Sequence, residues 1–164
     1  MYKLTVVVPI YNVEKYIKRS VESLLSQTLQ EIQFIFIDDC SPDHSMEILE
    51  DLILKYPQRR NDIKILKNIT NCGLAAVRNI GIQHALGEYV ISADSDDWID
   101  NNAYEQMYDI ALKEEADVVI CDIAYEYENH TDIHHIKVFD TPEEVLRASL
   151  DGKIHNSLCN KMIR

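Results

Sequence analysis

The chain has 164 residues, of which 46% are hydrophobic and 27% are charged, a composition typical of one globular domain with a buried core. Sixteen basic and 28 acidic side chains leave a formal charge of −12, so the average field repels phosphate backbones and we expect no nucleic-acid partner. No apolar run approaches the roughly 20 residues that span a bilayer, and the start of the chain lacks a signal-peptide pattern. We therefore expect a cytoplasmic protein without a transmembrane segment.

The four cysteines are too far apart for the common metal or redox motifs. Cys40, Cys72, Cys121 and Cys159 form no CxxC pair, which argues against a zinc ribbon or a thioredoxin-like site. Because a chain of this length needs no disulfides to fold, we expect reduced, mostly buried thiols without a functional role.

The first 122 residues alternate strand-like and helix-like segments. Residues 4–8 form a β-branched run that stops at Pro9, as in a strand buried on both faces of a parallel sheet. Further strands are predicted at 32–37, 63–66, 88–93 and 117–121. Helices are predicted at 13–25, 41–56, 74–85 and 101–115. The alternation predicts an α/β fold with a mostly parallel sheet and helices on both faces.

The pattern changes after residue 122. Residues 125–128 alternate in polarity, and 133–139 are a candidate partner strand in a hairpin. Thr141 opens a capping box with proline at the first helical position, which predicts a helix over 142–150. Residues 153–164 end without a stop signal, and we assign no element to them.

Carboxylates follow two of the predicted strands. Asp38 and Asp39 end the second strand, and Asp94, Asp96 and Asp97 follow the fourth. Ligands of open parallel sheets bind beyond the carboxyl ends of the strands. Any one of these acids, taken alone, is better explained as a structural residue such as a helix cap, but two clusters at one edge of one sheet favour a site. Close like charges need a neutralising partner, and Mg²⁺ or Mn²⁺ prefers carboxylate oxygens.

Two further side chains are predicted near the same edge. Tyr11 follows the first strand, where its ring could stack on a nucleobase. Arg78 lies in the first turns of the third predicted helix, where it is either a cation at the site or a plain surface charge.

Several short motifs together resemble the family 2 glycosyltransferases, which have the GT-A fold. The motifs, in chain order, are VVPIYN (7–12), SQT (26–28), IDDCSPD (37–43), NCG (71–73) followed by RN and Gly81, and GEY (87–89) followed by DSDD (94–97). The resemblance covers about residues 3–122 and extends weakly to Gly152-Lys153 and Asn160-Lys161.

The resemblance implies a fold and a reaction. The fold is the Rossmann-like fold of nucleotide-diphospho-sugar transferases, with a nucleotide-sugar-binding core at 1–122 and the start of a truncated acceptor-side region at 123–164. The activity is that of a hexosyltransferase-like enzyme of polysaccharide biosynthesis. It would move a sugar from a nucleotide diphosphate donor, a UDP-sugar by this resemblance, to the hydroxyl of a carbohydrate or lipid-linked acceptor. Transfer would invert the anomeric centre and use Mn²⁺ or Mg²⁺. Contact with the inner face of a membrane would come only through the acceptor or the missing segments.

The resemblance also implies roles for the nucleotide side of the site. The loop of Pro9, Tyr11 and Asn12 would hold the nucleotide, with Tyr11 against the base. Asp39 would accept a hydrogen bond from a uracil-type ring N–H, and Asp38 would support that loop.

The DSDD string would bind the metal and the diphosphate. Asp94 would face the ribose or the metal shell, and Asp96 would be the metal ligand that touches the diphosphate. Ser95, between them, belongs to the nucleotide-sugar-binding residues, and Arg78 would lie near the phosphates or the sugar. The family's catalytic base falls downstream of the matched region, so we assign no catalytic residue and expect the base beyond Arg164.

Three other functions are compatible with parts of the pattern. A phospho-acceptor receiver domain would need a lysine at the end of a late strand, where this chain has Cys121-Asp122. A nucleotidyltransferase that makes sugar nucleotides would need a glycine-rich basic loop after the first strand, which the segment 11–14 is not. A non-catalytic nucleotide-sugar-binding module remains open.

Overall fold

The computed structural model describes residues 1–137, 139, 141–154 and 157–164. Its strands are β1 (Tyr2–Ile10), β2 (Ile32–Asp38), β3 (Ile63–Lys67), β4 (Gly87–Ser92), β5 (Val118–Ile120), β6 (Ile123–Glu126), β7 (Thr131–His134) and β8 (Lys161–Ile163). Its helices are α1 (Ile17–Leu25), α2 (Ser45–Ile53), α3 (Leu74–Gln83), α4 (Ala103–Lys113) and α5 (Pro142–Leu150), with a 3₁₀ helix at Pro57–Asp62.

A six-stranded sheet in the order β3-β2-β1-β4-β8-β5 forms the centre of the fold. The first four strands in this order are parallel, with β1 between β2 and β4. The strand β1 continues through Pro9 to Ile10, beyond the predicted end, and is buried from Leu4 onward. The α/β fold with a mostly parallel sheet is confirmed.

Helices cover both faces of the sheet. The larger core packs α1, α2 and α4 against one face and includes Val6, Phe34 and Tyr104. On the other face, α3 packs through Val77 onto Val7 of β1. The approach of α3 is very close, because a Cβ atom built on Gly81 would lie 2.2 Å from Cγ1 of Val7. This contact positions the helix that carries Arg78.

The strand β8 was not predicted from the sequence. It inserts antiparallel between β4 and β5, where Ile163 pairs with both Val90 and Val118, and Met162 pairs with Val119. Three residues are too few to show a period, so the pattern of residues 161–163 carries no strand signal. The sheet therefore includes residues from the far end of the chain.

Other predictions need correction. The second helix begins at Ser45 instead of residue 41, and the second hairpin strand is Thr131–His134 instead of 133–139, of which Val138 lies outside the described residues. The expectation of mostly buried thiols is wrong, because Cys40 and Cys72 are exposed in the loops after β2 and before α3. Among the described residues, no helix is both long and apolar enough to cross a bilayer.

Candidate active site

Asp38 and Asp39 lie at the carboxyl end of β2 and both are buried. Asp38 accepts a hydrogen bond from the backbone N–H of Ser41 at 2.7 Å, and its other oxygen is 3.3 Å from Nζ of Lys67. These contacts balance the cost of burying the Asp38 charge and fix the start of the loop after β2.

Asp39 is held by three donors. Its Oδ1 accepts from Nδ2 of Asn68 at 2.8 Å and from the backbone N–H of Cys72 at 2.9 Å, and its Oδ2 accepts from the backbone N–H of Gly73 at 2.9 Å. Burial alone would raise the pKa of Asp39, but these hydrogen bonds outweigh it and lower the pKa below its ordinary value. Asp39 is therefore a carboxylate, tied to the loop that leads into α3.

The loop after β1 starts beside the loop after β2. The backbone N–H of Asp39 donates to the carbonyl of Ile10 at 2.9 Å, and Tyr11, the next residue, is 48% exposed. Asn12 takes a left-handed conformation with φ of 55°, and its N–H donates to Oγ of Ser41 at 2.8 Å. Pro9 lies within β1 and is buried, so it belongs to the strand that leads into the loop and not to the loop itself.

Asp43 joins these two loops. Its Oδ2 accepts from the N–H of Glu14 at 2.8 Å, and its Oδ1 accepts from the hydroxyls of Ser41 and Ser45, each at 2.6 Å. Burial raises the pKa of Asp43, but the hydrogen bonds prevail and lower it to about 2. The sequence pattern predicted only that Asp43 starts a helix. In the structure its carboxylate instead joins residues 14, 41 and 45, and α2 begins at Ser45, four residues later than predicted.

The acidic loop after β4, residues 93–102, contacts α3. Nη2 of Arg78 lies 2.7 Å from Oδ1 of Asp94, and its Nε donates to Oγ of Ser92 at 3.0 Å. Ser95 is buried, while Asp96 is exposed. Arg78 is therefore a cation that touches the acidic loop, not a plain surface charge.

Asp94 forms a cluster with two residues that the sequence did not assign to the metal. Ligand atoms of Asp94, Asp97 and Cys159 lie within 4.8 Å of one another. Partial burial, followed by the charges of Asp96 and Asp94, raises the pKa of Asp97. The structure thus groups Asp94 with Asp97 and Cys159, and Asp96 is outside this group. Cys159 arrives from the segment before β8, so only the tertiary fold could have revealed it.

Helix α1 and the turn that follows it hold the rest of the acidic loop. The N–H of Ile99 donates to Oγ of Ser23 at 3.2 Å. Nε2 of Gln27 donates to the carbonyl of Asp100 at 2.7 Å, and its Oε1 accepts from the N–H of Tyr104 at 3.2 Å. This buried glutamine accounts for one residue of the SQT motif as a structural link between α1 and α4.

The strand order brings these loops together. The strands β2 and β4 are parallel and flank β1, and neighbouring strands are about 4.8 Å apart. Asp39 and Asp94 therefore follow strand ends about 10 Å apart, with the Tyr11 loop between them. Oxygen-rich groups at one sheet edge, with one arginine, can bind an anionic ligand through a hard divalent cation.

Comparisons with known proteins identify the family and the fold. The model of the family "Glycosyl transferase family 2" matches residues 5–164. A putative glycosyltransferase EpsH of Bacillus subtilis is 37% identical over 166 residues, which is 98% of this chain and 46% of that protein. The chain spans less than half the length of EpsH and of other curated glycosyltransferases that it matches.

Solved structures show the same fold. Staphylococcus aureus TarS, crystallised with UDP-GlcNAc, is 32% identical with a TM-score of 0.66, over 74% of this chain and 34% of that one. GalNAc-T7, crystallised with UDP, GalNAc and Mn²⁺, is 26% identical with a TM-score of 0.56, over 66% of this chain and 20% of that one. The matches exclude a receiver domain and a sugar-nucleotide-forming nucleotidyltransferase. The family model and the shared architecture establish that this chain belongs to glycosyl transferase family 2 and has the GT-A fold.

Proposed function

We propose that this chain is the donor-binding part of a metal-dependent, inverting glycosyltransferase that uses a UDP-sugar. The observation that carries the proposal is the placement of Asp39 and Asp94 beyond the ends of β2 and β4, the two strands that flank β1, on either side of the Tyr11 loop. TarS, which binds UDP-GlcNAc, is a relative with the same fold, and this supports uridine as the base.

The nucleoside would bind between Tyr11 and Asp39. The exposed ring of Tyr11 offers a face on which a base can stack. A carboxylate has about four acceptor positions, of which the three intrachain donors to Asp39 use three. The remaining position would accept the ring N–H of uracil, and the lowered pKa keeps Asp39 charged for that purpose.

The residues of the acidic loop fit a divalent cation. Asp94 and Asp97 offer carboxylate oxygens close together, and these are the ligands that Mn²⁺ and Mg²⁺ prefer. Asp96, exposed on the same loop, is the ligand expected to reach the diphosphate. When bound, such an ion stabilises charge on the departing nucleoside diphosphate. Arg78 contacts Oδ1 of Asp94, and among the described residues no hydrogen bond to Oδ2 is seen, so Oδ2 can accept a ligand.

The attack on the sugar needs a base to take the proton of the acceptor hydroxyl. None of the described side chains is assigned this role, and we propose that the base belongs to a part of the protein outside this chain. The greater length of the relatives supports this division. The acceptor is proposed to be a carbohydrate or a lipid-linked molecule. If the whole protein also lacks turnover, the alternative of a non-catalytic nucleotide-sugar-binding module applies.

Thermal unfolding with UDP, GDP or ADP, each with and without Mn²⁺, tests the proposal. A ligand at 100 times its Kd adds about 2.7 kcal/mol of stability, so we expect a clear rise in Tm with UDP and Mn²⁺ together. Asp96→Ala should abolish the Mn²⁺-dependent part of this rise, whereas Asp109→Ala, at an exposed acid of α4, should not. No shift with any of the nucleotides would refute the proposed donor site.

Asp39→Ala gives an independent test of the nucleoside contact. We expect a lower affinity for UDP even without Mn²⁺, because the variant removes the acceptor for the ring N–H and loosens the Gly73 loop. An unchanged UDP affinity, measured by calorimetry, would reject this contact.

A further inference from the structure

Cys159 adds a sulfur atom to the acidic loop. Its Sγ and one carboxylate oxygen each of Asp94 and Asp97 all lie within 4.8 Å of one another. An ion placed among three atoms at that spacing lies at most about 2.8 Å from each, close to the metal–oxygen and metal–sulfur bonds of about 2.0–2.3 Å that proteins form. Small side-chain movements therefore suffice for all three atoms to bind one ion.

The fold holds the thiol in this place. The N–H of Cys159 donates to Oγ of Ser157 at 3.2 Å. Asn160, the next residue, is buried and is bonded twice to Cys121, which follows β5. Its Nδ2 donates to the carbonyl of Cys121 at 3.0 Å, and its own carbonyl accepts from the N–H of Cys121 at 3.0 Å. The segment before β8 therefore presents Cys159 to the acidic loop from a backbone that is held on both sides.

The two carboxylates are held from other elements. Arg78 of α3 contacts Asp94 at 2.7 Å, and the N–H of Asp97 donates to the carbonyl of Asp94 at 3.2 Å. Burial raises the pKa of Asp97, and a hydrogen bond from the Cys159 thiol opposes this rise. Helix α3, the loop after β4 and the segment before β8 thus bring two hard oxygen ligands and one soft sulfur ligand to one place.

We propose that Cys159 is a third protein ligand of the divalent cation and that its sulfur makes the site select Mn²⁺ over Mg²⁺. This inference rests on the proposed function, because it concerns the ion of the same donor site. Mg²⁺ binds through oxygen ligands and keeps several waters, whereas transition-metal ions also accept thiolate sulfur. As the metal–sulfur bond forms, the S–H bond of Cys159 breaks and its proton passes to the solvent. Affinity should therefore increase from Mg²⁺ through Mn²⁺ to Co²⁺.

Absorption spectroscopy with Co²⁺ tests whether sulfur binds the ion. The chain, without nucleotide, is titrated with Co²⁺. It should develop a saturable charge-transfer band in the near ultraviolet, which thiolate ligands give and oxygen ligands do not. Cys159→Ser should lose the band. Cys40→Ser, at an exposed thiol outside the cluster, is the matched control and should keep it.

Competition between Mn²⁺ and Mg²⁺ measures the selectivity. Bound Mn²⁺ is counted by electron paramagnetic resonance and displaced with Mg²⁺. Loss of a group that merely supports a metal ligand costs about 10–100-fold in affinity, so Cys159→Ser should weaken Mn²⁺ by at least about tenfold and leave Mg²⁺ nearly unchanged. Asp97→Asn should weaken both ions, because both bind carboxylate oxygen. This contrast separates the loss of a sulfur ligand from a general loss of the site.

Cys159→Ala is a second variant with the same expected results, and thermal unfolding without metal shows whether each variant folds. A wild-type Co²⁺ spectrum without the band, a band that survives Cys159→Ser, or an equal loss of Mn²⁺ and Mg²⁺ in a folded Cys159 variant would overturn the inference. The rise in Tm with UDP and Mn²⁺ tests the proposed function separately. If the wild type still shows that rise, the donor site stands and only the sulfur ligand fails.

Discussion

The contact between Gly81 and Val7 allows a sharp test of how α3 is positioned. In an exposed helix interior, Gly→Ala stabilises by about 1 kcal/mol. At Gly81 the new methyl group would meet Cγ1 of Val7 at 2.2 Å and Cγ2 at 2.8 Å. Val7 is fully buried in β1, so its side chain has no solvent to move into. We expect the steric cost to exceed the gain in helix propensity.

The magnitude follows from the two opposing effects. Overpacking a well-packed core costs about 3 kcal/mol at the upper end of its usual range, which leaves Gly81→Ala destabilised by about 2 kcal/mol. Val7→Ala removes both clashing methyl groups, so that the nearest of the three contacts that remains is the one with Cβ at 3.1 Å. In that background Gly81→Ala should be neutral or stabilising by up to about 1 kcal/mol, a coupling free energy of about 2–3 kcal/mol.

Urea unfolding of the wild type, both single variants and the double variant measures this cycle. The free energy of unfolding should show that Gly81→Ala destabilises the wild type but not the Val7→Ala variant, at constant m-value. A Gly81→Ala variant as stable as the wild type would refute the reasoning, because it would mean that α3 can move off the sheet freely. In that case Gly81 would not be what positions Arg78 against Asp94.

Three further predictions concern single side chains. Asp43→Asn should lower the free energy of unfolding by about 1 kcal/mol at neutral pH after allowance for solvent screening. Because the pKa of Asp43 is lowered to about 2 in the folded state, this loss of stability should be full above about pH 4 and should shrink towards pH 2. A difference in urea midpoint that does not change with pH would contradict this prediction. Arg59→Met should destabilise by about 3 kcal/mol, since buried Arg59 donates to three backbone carbonyls of residues 27–30, and a wild-type midpoint would reject this. Arg78→Lys replaces the planar guanidinium, which contacts Ser92 through Nε and Asp94 through Nη2, by a single ammonium group. It should weaken UDP binding with Mn²⁺ about tenfold by calorimetry, and an unchanged Kd would remove Arg78 from the site.

The parallel part of the sheet could be predicted because its strands carry strong local signals. Residues 4–8 and 32–37 are mostly apolar runs of the kind that a strand covered on both faces buries. The position of the acids at the strand ends follows directly from this order. The role of each site residue came from the resemblance to the family, because hydrophobic periodicity and motif spacing do not show what an individual side chain binds.

The parts that could not be predicted depend on contacts between distant segments. Ser41, Asp43 and Ser45 look like the start of a helix, yet they bond the backbone of residues 12–14, and this competes with helix formation. Cys159 reaches Asp94 only because β8 enters the sheet. Short elements of this kind owe their stability to tertiary pairing, so their sequences need no intrinsic signal.

The insertion of β8 also has a consequence for the order in which the sheet assembles. In the described part of the chain, β5 is hydrogen-bonded to the sheet only through β8, although about 40 residues separate the two in sequence. The pairings of β1 with β2 and of β2 with β3 need only short crossovers, and β4 can join β1 as soon as residues 87–92 have emerged, so these four strands can assemble while the chain is still being synthesised. The strand β5 must wait until residues 161–163 emerge. The nucleotide half of the site is thus completed early, and the Asp94–Asp97–Cys159 cluster is completed last.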